Sequence, residues 1–399
     1  MLSKIKIAFF VEILIEDFDG ASRTIFNIIN RIPKDRFDIL FVCGVPPKGF
    51  FDFSYIVVPT VSIPFNKDYK MALPQSVSFQ LKQKLRHFKP DIIHISTPSP
   101  LGKFAMNFAK YHNLPVTSIY HTHFISYIDY YLEKIPFLIP TVKKWITRDQ
   151  KAFYEKCNIV YIPTQNMVNE LAKSGISSAN FKIWHRGLHG GRFTPTKRNL
   201  QKVKSIIGND NKNIIFASRL VWEKNLKTLI KIYQHAKEQN HNYNFIIAGD
   251  GVAKESLMQL MPDAHFLGHI HHEELAVIYA SCDVFLFTSI SETYGNVVAE
   301  AMASGLPCVI ANGGGSAHFI EQGVNGFLCT PENSSEYIEK ITVLMENESL
   351  SSAFRDKGLH FASTLQWGHL TETYFNDLEQ LYFSSKENIV IPTKMELSF

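Results

Sequence analysis

The chain has 399 residues, and 45% of them are hydrophobic, which is ordinary globular composition and enough for two hydrophobic cores. A formal net charge of +4 is too small to indicate a nucleic-acid-binding protein. The five cysteines are scattered without a Cys-x-x-Cys pair, which favours reduced core thiols in a cytosolic protein: Cys43, Cys157, Cys282, Cys308 and Cys329.

The first half of the chain alternates short apolar runs with segments of helical length. Strands are predicted at residues 5–11, 38–42, 92–95, 116–120 and 159–162, with helices at 21–31 and 76–87 between them. We interpret the first run as a strand rather than a signal peptide, because Glu12 interrupts it and no small-residue cleavage site follows. No apolar run reaches the ~18 residues that a membrane-spanning helix needs.

Gly20 lies between the first predicted strand and the helix that follows it. This turn lets the backbone approach a phosphate at the helix N-terminus, where N–H groups and the helix dipole favour an anion. Asp17-Phe18-Asp19, just before it, matches an Asp-x-Asp metal-binding motif. We reject a metal site there, because a cation would compete for the phosphate. The sequence predicts no metal and no cofactor.

His121 ends the predicted strand at 116–120, where parallel strands form a cleft at their carboxyl ends. Its imidazole can donate a hydrogen bond to a sugar hydroxyl or to developing charge, although a satisfied core histidine is the alternative. Residues 127–156 then mix aromatic and basic side chains. That composition suits a membrane surface and, equally, a helical face packed on the first domain.

A break near residues 193–213 separates the two halves. The second half is predicted to contain strands at 214–217, 245–248, 264–267, 284–287 and 308–310. This order indicates two doubly wound parallel-sheet α/β domains in series, residues 1–193 and 194–367, with a cleft between them. His269-x-His271-His272 is interpreted as part of a surface loop rather than a zinc site. Residues 372–383 are amphipathic and helix-like, and residues 386–399 resemble a frayed tail.

Arg219 and Lys224 follow the predicted strand at 214–217 directly. Two fixed cations at the carboxyl end of a strand can neutralise a diphosphate, Arg219 by its planar fork and Lys224 as a point charge. A solvated pair of loop residues is the alternative. If the diphosphate is a leaving group, the same cations stabilise the charge that it gains in the transition state.

The segment 291–305 is the most informative in the chain. After the predicted strand at 284–287 it places Glu292 in a loop, Gly295 in a tight turn, and Glu300 about one and a half turns into a helix. The N–H groups of Asn296 and Val297 then point at an anion docked on the helix N-terminus. A ligand with phosphate in the middle and hydroxyls at both ends, such as a nucleotide sugar, fits this layout.

Glu292-x7-Glu300 followed by Ala-Met-Ala-Ser-Gly-x-Pro resembles the donor-site signature of family 4 retaining glycosyltransferases, which have the GT-B architecture. The resemblance spans roughly residues 5 to 383 and includes the family's Arg-x4-Lys at Arg219 and Lys224. It implies that Glu292 meets the donor sugar and Glu300 holds the ribose hydroxyls. It also implies that a C-terminal helix, residues 368–385, returns to the first domain.

Two further motifs indicate the subgroup. Trp184-His185-Arg186-Gly187 and His121-Thr122-His123-Phe124 resemble motifs of GDP-mannose-dependent alpha-mannosyltransferases and sulfoquinovosyl-diacylglycerol synthase-like enzymes. This resemblance implies that His121 lies against the donor sugar and that Arg186 contacts donor phosphate or sugar. Relatives carry acidic residues at the positions of three histidines here, which puts the acceptor contacts in doubt: His123, His189 and His318.

Our hypothesis from the sequence is a retaining hexosyltransferase that moves a mannose- or glucose-type sugar from a nucleoside-diphosphate donor to a lipid, glycolipid or glycan acceptor. We expect it in the cytoplasm, or peripheral on the inner face of the membrane through residues 127–156, with no nucleic-acid partner. A non-hydrolysing sugar-nucleotide epimerase and a catalytically silent sugar-nucleotide-binding protein remain alternatives. A nicotinamide dehydrogenase is disfavoured, because no Gly-x-Gly-x-x-Gly follows the first strand.

Overall fold

A computed structural model of the chain describes residues 3–16, 18–63, 66–121, 128, 135–177, 179–188 and 190–387. Two parallel sheets form the centres of two domains, and helices cover both faces of each sheet. This confirms the predicted doubly wound α/β architecture.

The first domain contains a seven-stranded sheet with the strand order β3-β2-β1-β6-β7-β8-β9. Beside it, β4 and β5 pair as an antiparallel hairpin. The central strands are buried on both faces, as expected where helices flank a parallel sheet. The strands are β1 (Ile5–Ile13), β2 (Phe37–Val45), β3 (Ser54–Val57), β4 (Thr60–Ile63), β5 (Asn66–Ala72), β6 (Ile92–Ile95), β7 (Val116–Ile119), β8 (Ile159–Ile162) and β9 (Phe181–Ile183).

Three of the described helices in the first domain begin at side-chain caps, which are Asp19, Ser99 and Thr164. The helices of this domain include α1 (Gly20–Ile29), α2 (Ser78–Phe88), α3 (Pro100–His112), α4 (Ile139–Tyr154) and α5 (Gln165–Lys173). The Asp19 carboxylate caps α1 by accepting a hydrogen bond from the Ser22 N–H at 2.8 Å, and it also accepts one from the Tyr69 hydroxyl at 2.5 Å. Asp19 is therefore occupied as a cap; Asp17 lies outside the described residues.

The second domain contains a six-stranded parallel sheet with the order β12-β11-β10-β13-β14-β15. Its strands are β10 (Asn213–Ala217), β11 (Asn244–Ala248), β12 (His265–Gly268), β13 (Val284–Phe287), β14 (Cys308–Ala311) and β15 (Gly326–Cys329). Its helices include α6 (Leu200–Ile207), α7 (Leu226–Glu238), α8 (Lys254–Leu260), α9 (His272–Ser281), α10 (Asn296–Ala303), α11 (Ser334–Glu346) and α12 (Glu348–Ser363).

The last described helix, α13 (Trp367–Glu387), packs on the first domain. Arg36 pairs with Glu379 at 2.6 Å and with Glu372 at 2.9 Å. The Trp184 indole N–H donates to the carbonyl oxygen of Leu370 at 2.7 Å. Since α13 follows the second domain in sequence, these contacts join the two halves of the molecule. Trp184 is a packing residue here, as its indole is almost fully buried.

The sequence analysis missed β3, the β4–β5 hairpin, β9 and β15. Strands β3 and β9 end the first sheet on either side and carry mostly exposed side chains. Strand β9 is short and interrupted by Lys182, so it lacks the apolar run that identifies a central strand. The five cysteines are buried and carry no disulfide, which fits the expected core thiols. Among the described helices, none has both the length and the apolarity that crossing a bilayer requires.

Candidate functional site

The candidate residues gather where the carboxyl ends of the two sheets face each other. Gly20 opens α1 after β1, and His121 follows β7. From the second domain, Lys224 comes after β10, and the loop containing Glu292 joins β13 to α10. A crevice of this kind is where open α/β sheets bind their ligands.

A buried ion pair joins the two halves of the predicted donor site. Lys224 Nζ donates to Glu292 Oε1 at 2.6 Å and lies 3.3 Å from the Ser291 hydroxyl. The Lys224 side chain is 4% exposed and that of Glu292 is 23% exposed. Burial raises the pKa of Glu292, but the charges of Lys224 and Arg219 outweigh it, so this pKa lies below its ordinary value. Glu292 is therefore ionised at neutral pH.

Arg219 lies at the rim of the site rather than inside it. Its side chain is 63% exposed and pairs with Glu223 at 3.3 Å. The structure thus separates the two predicted cations into a buried lysine and a solvent-facing arginine.

The turn before α10 depends on a glycine. Gly295 has φ +86°, and a Cβ there would lie 2.6 Å from the Cβ of Ser316. No side chain caps α10. Its first N–H groups, at Asn296 and Val297, therefore remain available to an anion, and the positive end of the helix dipole adds to the attraction.

Glu300 lies one turn beyond Asn296 and is 6% exposed. Among the described residues, its carboxylate has no hydrogen-bond or ion-pair partner. Burial raises the pKa of Glu300 to about 7, against the nearby positive charges of Arg23 and Arg192, which lower it. A buried carboxylate without a partner is costly, and it can accept hydrogen bonds from two adjacent hydroxyls.

Arg186 connects the domains at the centre of the site. The side chain is 6% exposed, donates to the carbonyl oxygen of His121 at 3.3 Å, and lies over the Tyr294 ring at 5.6 Å. A Cβ on Gly20 would lie 4.0 Å from Arg186 Nη1, so this guanidinium stands at the start of α1. Burial lowers the pKa of Arg186 to about 10, which leaves it a cation at neutral pH.

His121 is 6% exposed, and neither ring nitrogen has a hydrogen-bond partner in the described part of the chain. Burial, together with the charge of Arg186, holds its pKa well below the ordinary value, so the imidazole is neutral. The core-histidine alternative predicts satisfied ring nitrogens. No described residue satisfies them, and the sugar-binding role of His121 stays a prediction.

The three histidine departures have different outcomes. His123 and His189 lie outside the described residues. His318 stacks on His185 with ring centroids 4.9 Å apart, and burial together with His185 lowers its pKa to about 4. This contact joins the segment after β9 to the second domain.

The histidine cluster at 269–272 was partly misassigned. His272 is the first residue of α9, not a loop residue, and its Nε2 lies 2.7 Å from Arg23 Nη1. Within the described ranges, no three potential metal ligands come together. The sequence analysis also missed Arg23. The available signal was its position, one helical turn after Gly20 on the same face of α1.

Two family models match the chain, one over each half. Residues 18–189 match the model described as "Glycosyltransferase Family 4", and residues 197–361 match "Glycosyl transferases group 1". Together the two models cover most of the chain.

Three curated relatives are similar over much of their length. A GDP-mannose-dependent alpha-mannosyltransferase of Corynebacterium glutamicum is 28% identical, covering 82% of this chain and 77% of that protein. Sulfoquinovosyl transferase SQD2 of Arabidopsis thaliana is 31% identical, covering 76% and 59%. Alpha-monoglucosyldiacylglycerol synthase of Acholeplasma laidlawii is 24% identical, covering 86% and 89%.

Among solved structures, Anabaena Alr3699/HepE in complex with UDP is similar with a TM-score of 0.73 and 19% identity, covering 94% of this chain and all of that one. At this identity the likeness concerns the fold, which is the GT-B arrangement of two Rossmann-like domains.

Proposed function

Since the chain belongs to the glycosyltransferases, with a family 4 first half and a group 1 second half, we propose that it transfers a mannose- or glucose-type hexose from a nucleoside-diphosphate sugar with retention of configuration. The observation that carries the proposal is the buried Lys224–Glu292 pair beside the uncapped start of α10. This arrangement offers fixed positive charge for a diphosphate and a carboxylate for the sugar beside it.

The diphosphate of the sugar donor binds at the N–H groups of Asn296 and Val297. Lys224 lies at the inner side of this subsite and Arg219 at its rim. As the bond from the anomeric carbon to the phosphate oxygen breaks, charge grows on the diphosphate. These groups are already in place when that happens, so they stabilise the transition state more than the ground state. No metal is needed in this scheme.

The hexose lies between Glu292, Arg186 and His121. Glu292 accepts hydrogen bonds from sugar hydroxyls, and its ion pair with Lys224 makes it a poor nucleophile because its pKa is held low. A front-face displacement is therefore favoured over a covalent glycosyl-enzyme. In it, the acceptor hydroxyl oxygen bonds to the anomeric carbon, the bond to phosphate breaks, and the hydroxyl proton passes to the departing diphosphate.

At the other end of the donor, Glu300 accepts hydrogen bonds from the ribose hydroxyls. Two observations support this role: its carboxylate has no partner in the described part of the chain, and it lies one turn into α10. For the acceptor we propose a lipid or a glycan bound from the side of the first domain, because relatives include a glucosyldiacylglycerol synthase and mannosyltransferases.

The test is a screen of UDP-, GDP- and ADP-sugars against the purified protein, with and without a crude lipid extract. We expect one donor to stabilise the protein and to release nucleotide only when acceptor is present. Glu292→Gln and Lys224→Ala should each lower release at least about a hundredfold, the size of effect seen when one charge-stabilising group is removed. Full activity in both variants would rule out the assigned roles.

The same screen separates the alternative functions. An epimerase would alter the free donor without any acceptor. A binding protein would be stabilised by one donor and release nothing under any acceptor condition. No stabilisation by any nucleotide would contradict a sugar-nucleotide function altogether.

A further inference from the structure

The cavity beside Glu300 has walls from both domains. On one side, α1 of the first domain contributes Arg23 and Asn27. On the other side are Glu300 and Asn296 of α10, together with His272 at the start of α9. Because the two walls belong to different domains, the cavity is complete only when the domains meet.

Arg23 makes the closest polar contact across this cavity. Its Nη1 lies 2.7 Å from His272 Nε2. A guanidinium can only donate, so His272 Nε2 must be the acceptor and carry no proton. The contact therefore requires that Nε2 of His272 carry no proton. It also holds the positive charge of Arg23, a first-domain residue, against the second domain.

The carboxylate of Glu300 is the group in this cavity that the positive charge of Arg23 stabilises. Glu300 is 94% buried by area, and within the described chain no hydrogen bond or ion pair reaches its carboxylate. The charged and titratable groups around it are Arg23 from α1, Arg192 from the segment before α6, and His272 and Tyr279 from α9. Tyr279 is fully buried, its hydroxyl has no hydrogen-bond partner among the residues that the structure describes, and its raised pKa keeps it neutral.

We propose that Arg23 is a positioning residue through which the first domain controls nucleotide binding. On domain closure, Arg23 brings the positive charge that keeps Glu300 ionised for the ribose hydroxyls. The inference rests on the proposed ribose role of Glu300. It adds a residue from the opposite domain, and it makes nucleotide affinity and domain closure reciprocal. A nucleotide that needs the ionised carboxylate favours the closed arrangement, and closure tightens the nucleotide.

The sign of the pH effect follows from the pKa of Glu300, which lies near 7 in the closed arrangement. Nucleotide affinity should be complete above that pKa and should fall as the pH drops through it. Removing Arg23 removes one of the two cations that lower this pKa, so the fall should begin at a higher pH. At a pH where Glu300 is ionised regardless, most of the lost affinity should return.

The experiment measures binding of GDP and UDP by titration calorimetry between pH 5.5 and pH 9, using the full chain. For Arg23→Gln, we expect the midpoint of the affinity loss to rise by about one pH unit, which corresponds to a roughly fivefold weaker affinity at pH 7 and approaches tenfold at lower pH. At pH 9 its affinity should lie within about twofold of the original. Arg23→Lys keeps the charge and should keep the original midpoint.

Two matched variants isolate the cause. Arg198→Gln removes the same charge from an exposed position in the linker that does not line the cavity, and its profile should match the unmodified protein. His272→Gln keeps an acceptor for Arg23 that does not titrate, so the midpoint should stay in place. If His272→Gln moves the midpoint as far as Arg23→Gln does, His272 is the titrating group and the proposal is wrong.

The remaining outcomes are also decisive. An equal loss of affinity at every pH in Arg23→Gln would mean a direct or structural role and would overturn the proposal, as would an unchanged profile. Glu300→Gln serves as the check on the underlying role. If that variant binds nucleotide normally at every pH, the ribose role of Glu300 is wrong. If Glu300→Gln fails to bind nucleotide but Arg23→Gln has a normal profile, the ribose role stands and only the proposal for Arg23 is wrong.

Discussion

Two glutamates eight residues apart in the sequence have opposite electrostatic environments. Glu292 has Lys224 Nζ at 2.6 Å, and this pairing holds its pKa below the ordinary value despite burial. Glu300 lacks such a partner among the described residues, and burial raises its pKa to about 7. The same residue type therefore gives an anion at the proposed sugar end of the site and a titrating group at the proposed ribose end.

The raised pKa of Glu300 predicts a conflict between stability and binding. Its folded-state pKa lies above the unfolded value, so the folded protein holds the extra proton and loses stability as the pH rises from 4.5 to about 7. Glu300→Gln removes this loss. We expect the variant to be more stable than the original at pH 8, by at most about 3 kcal/mol, and equal to it near pH 4.5.

Urea denaturation at both pH values measures this difference, with Glu332→Gln at an exposed position as the control. The Glu300→Gln protein should also bind nucleotide weakly at every pH. A variant less stable than the original at pH 8 would mean that the carboxylate stabilises the fold, contrary to the inferred desolvation.

At the scale of elements, the left-handed backbone conformation of Gly295 determines the turn into α10. Gly295→Ala forces a side chain into a left-handed conformation and places its Cβ against Ser316. The conformation alone costs roughly 1–2 kcal/mol, and the close approach must in addition displace the turn that aims the N–H groups of α10. We expect affinity for GDP or UDP to fall at least about tenfold.

Gly323→Ala is the matched control for this turn. Gly323 has φ +74°, but a Cβ there meets nothing within 4 Å. It should lose a similar amount of stability and retain nucleotide affinity. Equal affinities in the two variants, measured by calorimetry, would show that the Gly295 turn does not position the ligand.

The elements also show what the sequence could and could not predict. Central strands such as β6 and β13 were predicted at their observed bounds, because residues buried on both faces leave a continuous apolar run. The edge strand β9 has no such run. In the site, the motif placed Lys224 and Glu292 in one crevice, but their 2.6 Å pairing depends on how two separate loops pack. Arg23 was missed because its partner His272 lies in the other domain.

For the whole molecule, the contacts between domains are concentrated near the predicted ligand. Arg23 meets His272, and the Tyr294 hydroxyl donates to the carbonyl oxygen of Arg186 at 2.9 Å. Meanwhile α13 anchors the end of the second domain on the first through Arg36 and its acidic partners. A change in the relative position of the domains would therefore alter contacts in the cleft.

The outer face of α4 bears on where the whole molecule works. Trp145 is 64% exposed, and Phe137, just before the helix, is 77% exposed. Lys144, Arg148 and Lys151 are spaced four and three residues apart, which puts them on one face of the helix, and the exposed Trp145 lies beside that face. The opposite face, with Phe153, is buried in the domain. Packing on the first domain explains that inner face but leaves the outer aromatics unexplained. Residues 127 and 129–134 lie outside the described part of the chain.

An exposed aromatic and basic face suits a membrane with anionic lipids, where each cation near the surface adds about 1 kcal/mol. We expect the doubly substituted variant Phe137→Ser with Trp145→Ser to bind anionic vesicles at least about tenfold more weakly in a sedimentation assay, since two aromatic anchors are lost. Binding of GDP or UDP should be unchanged, because neither residue lies in the cleft.

Phe50→Ser is the control: Phe50 is 92% exposed, but it lies between β2 and β3, at the other end of the seven-stranded sheet. Loss of vesicle binding in this control alone, or undiminished binding in the doubly substituted variant, would place the membrane contact elsewhere on the molecule.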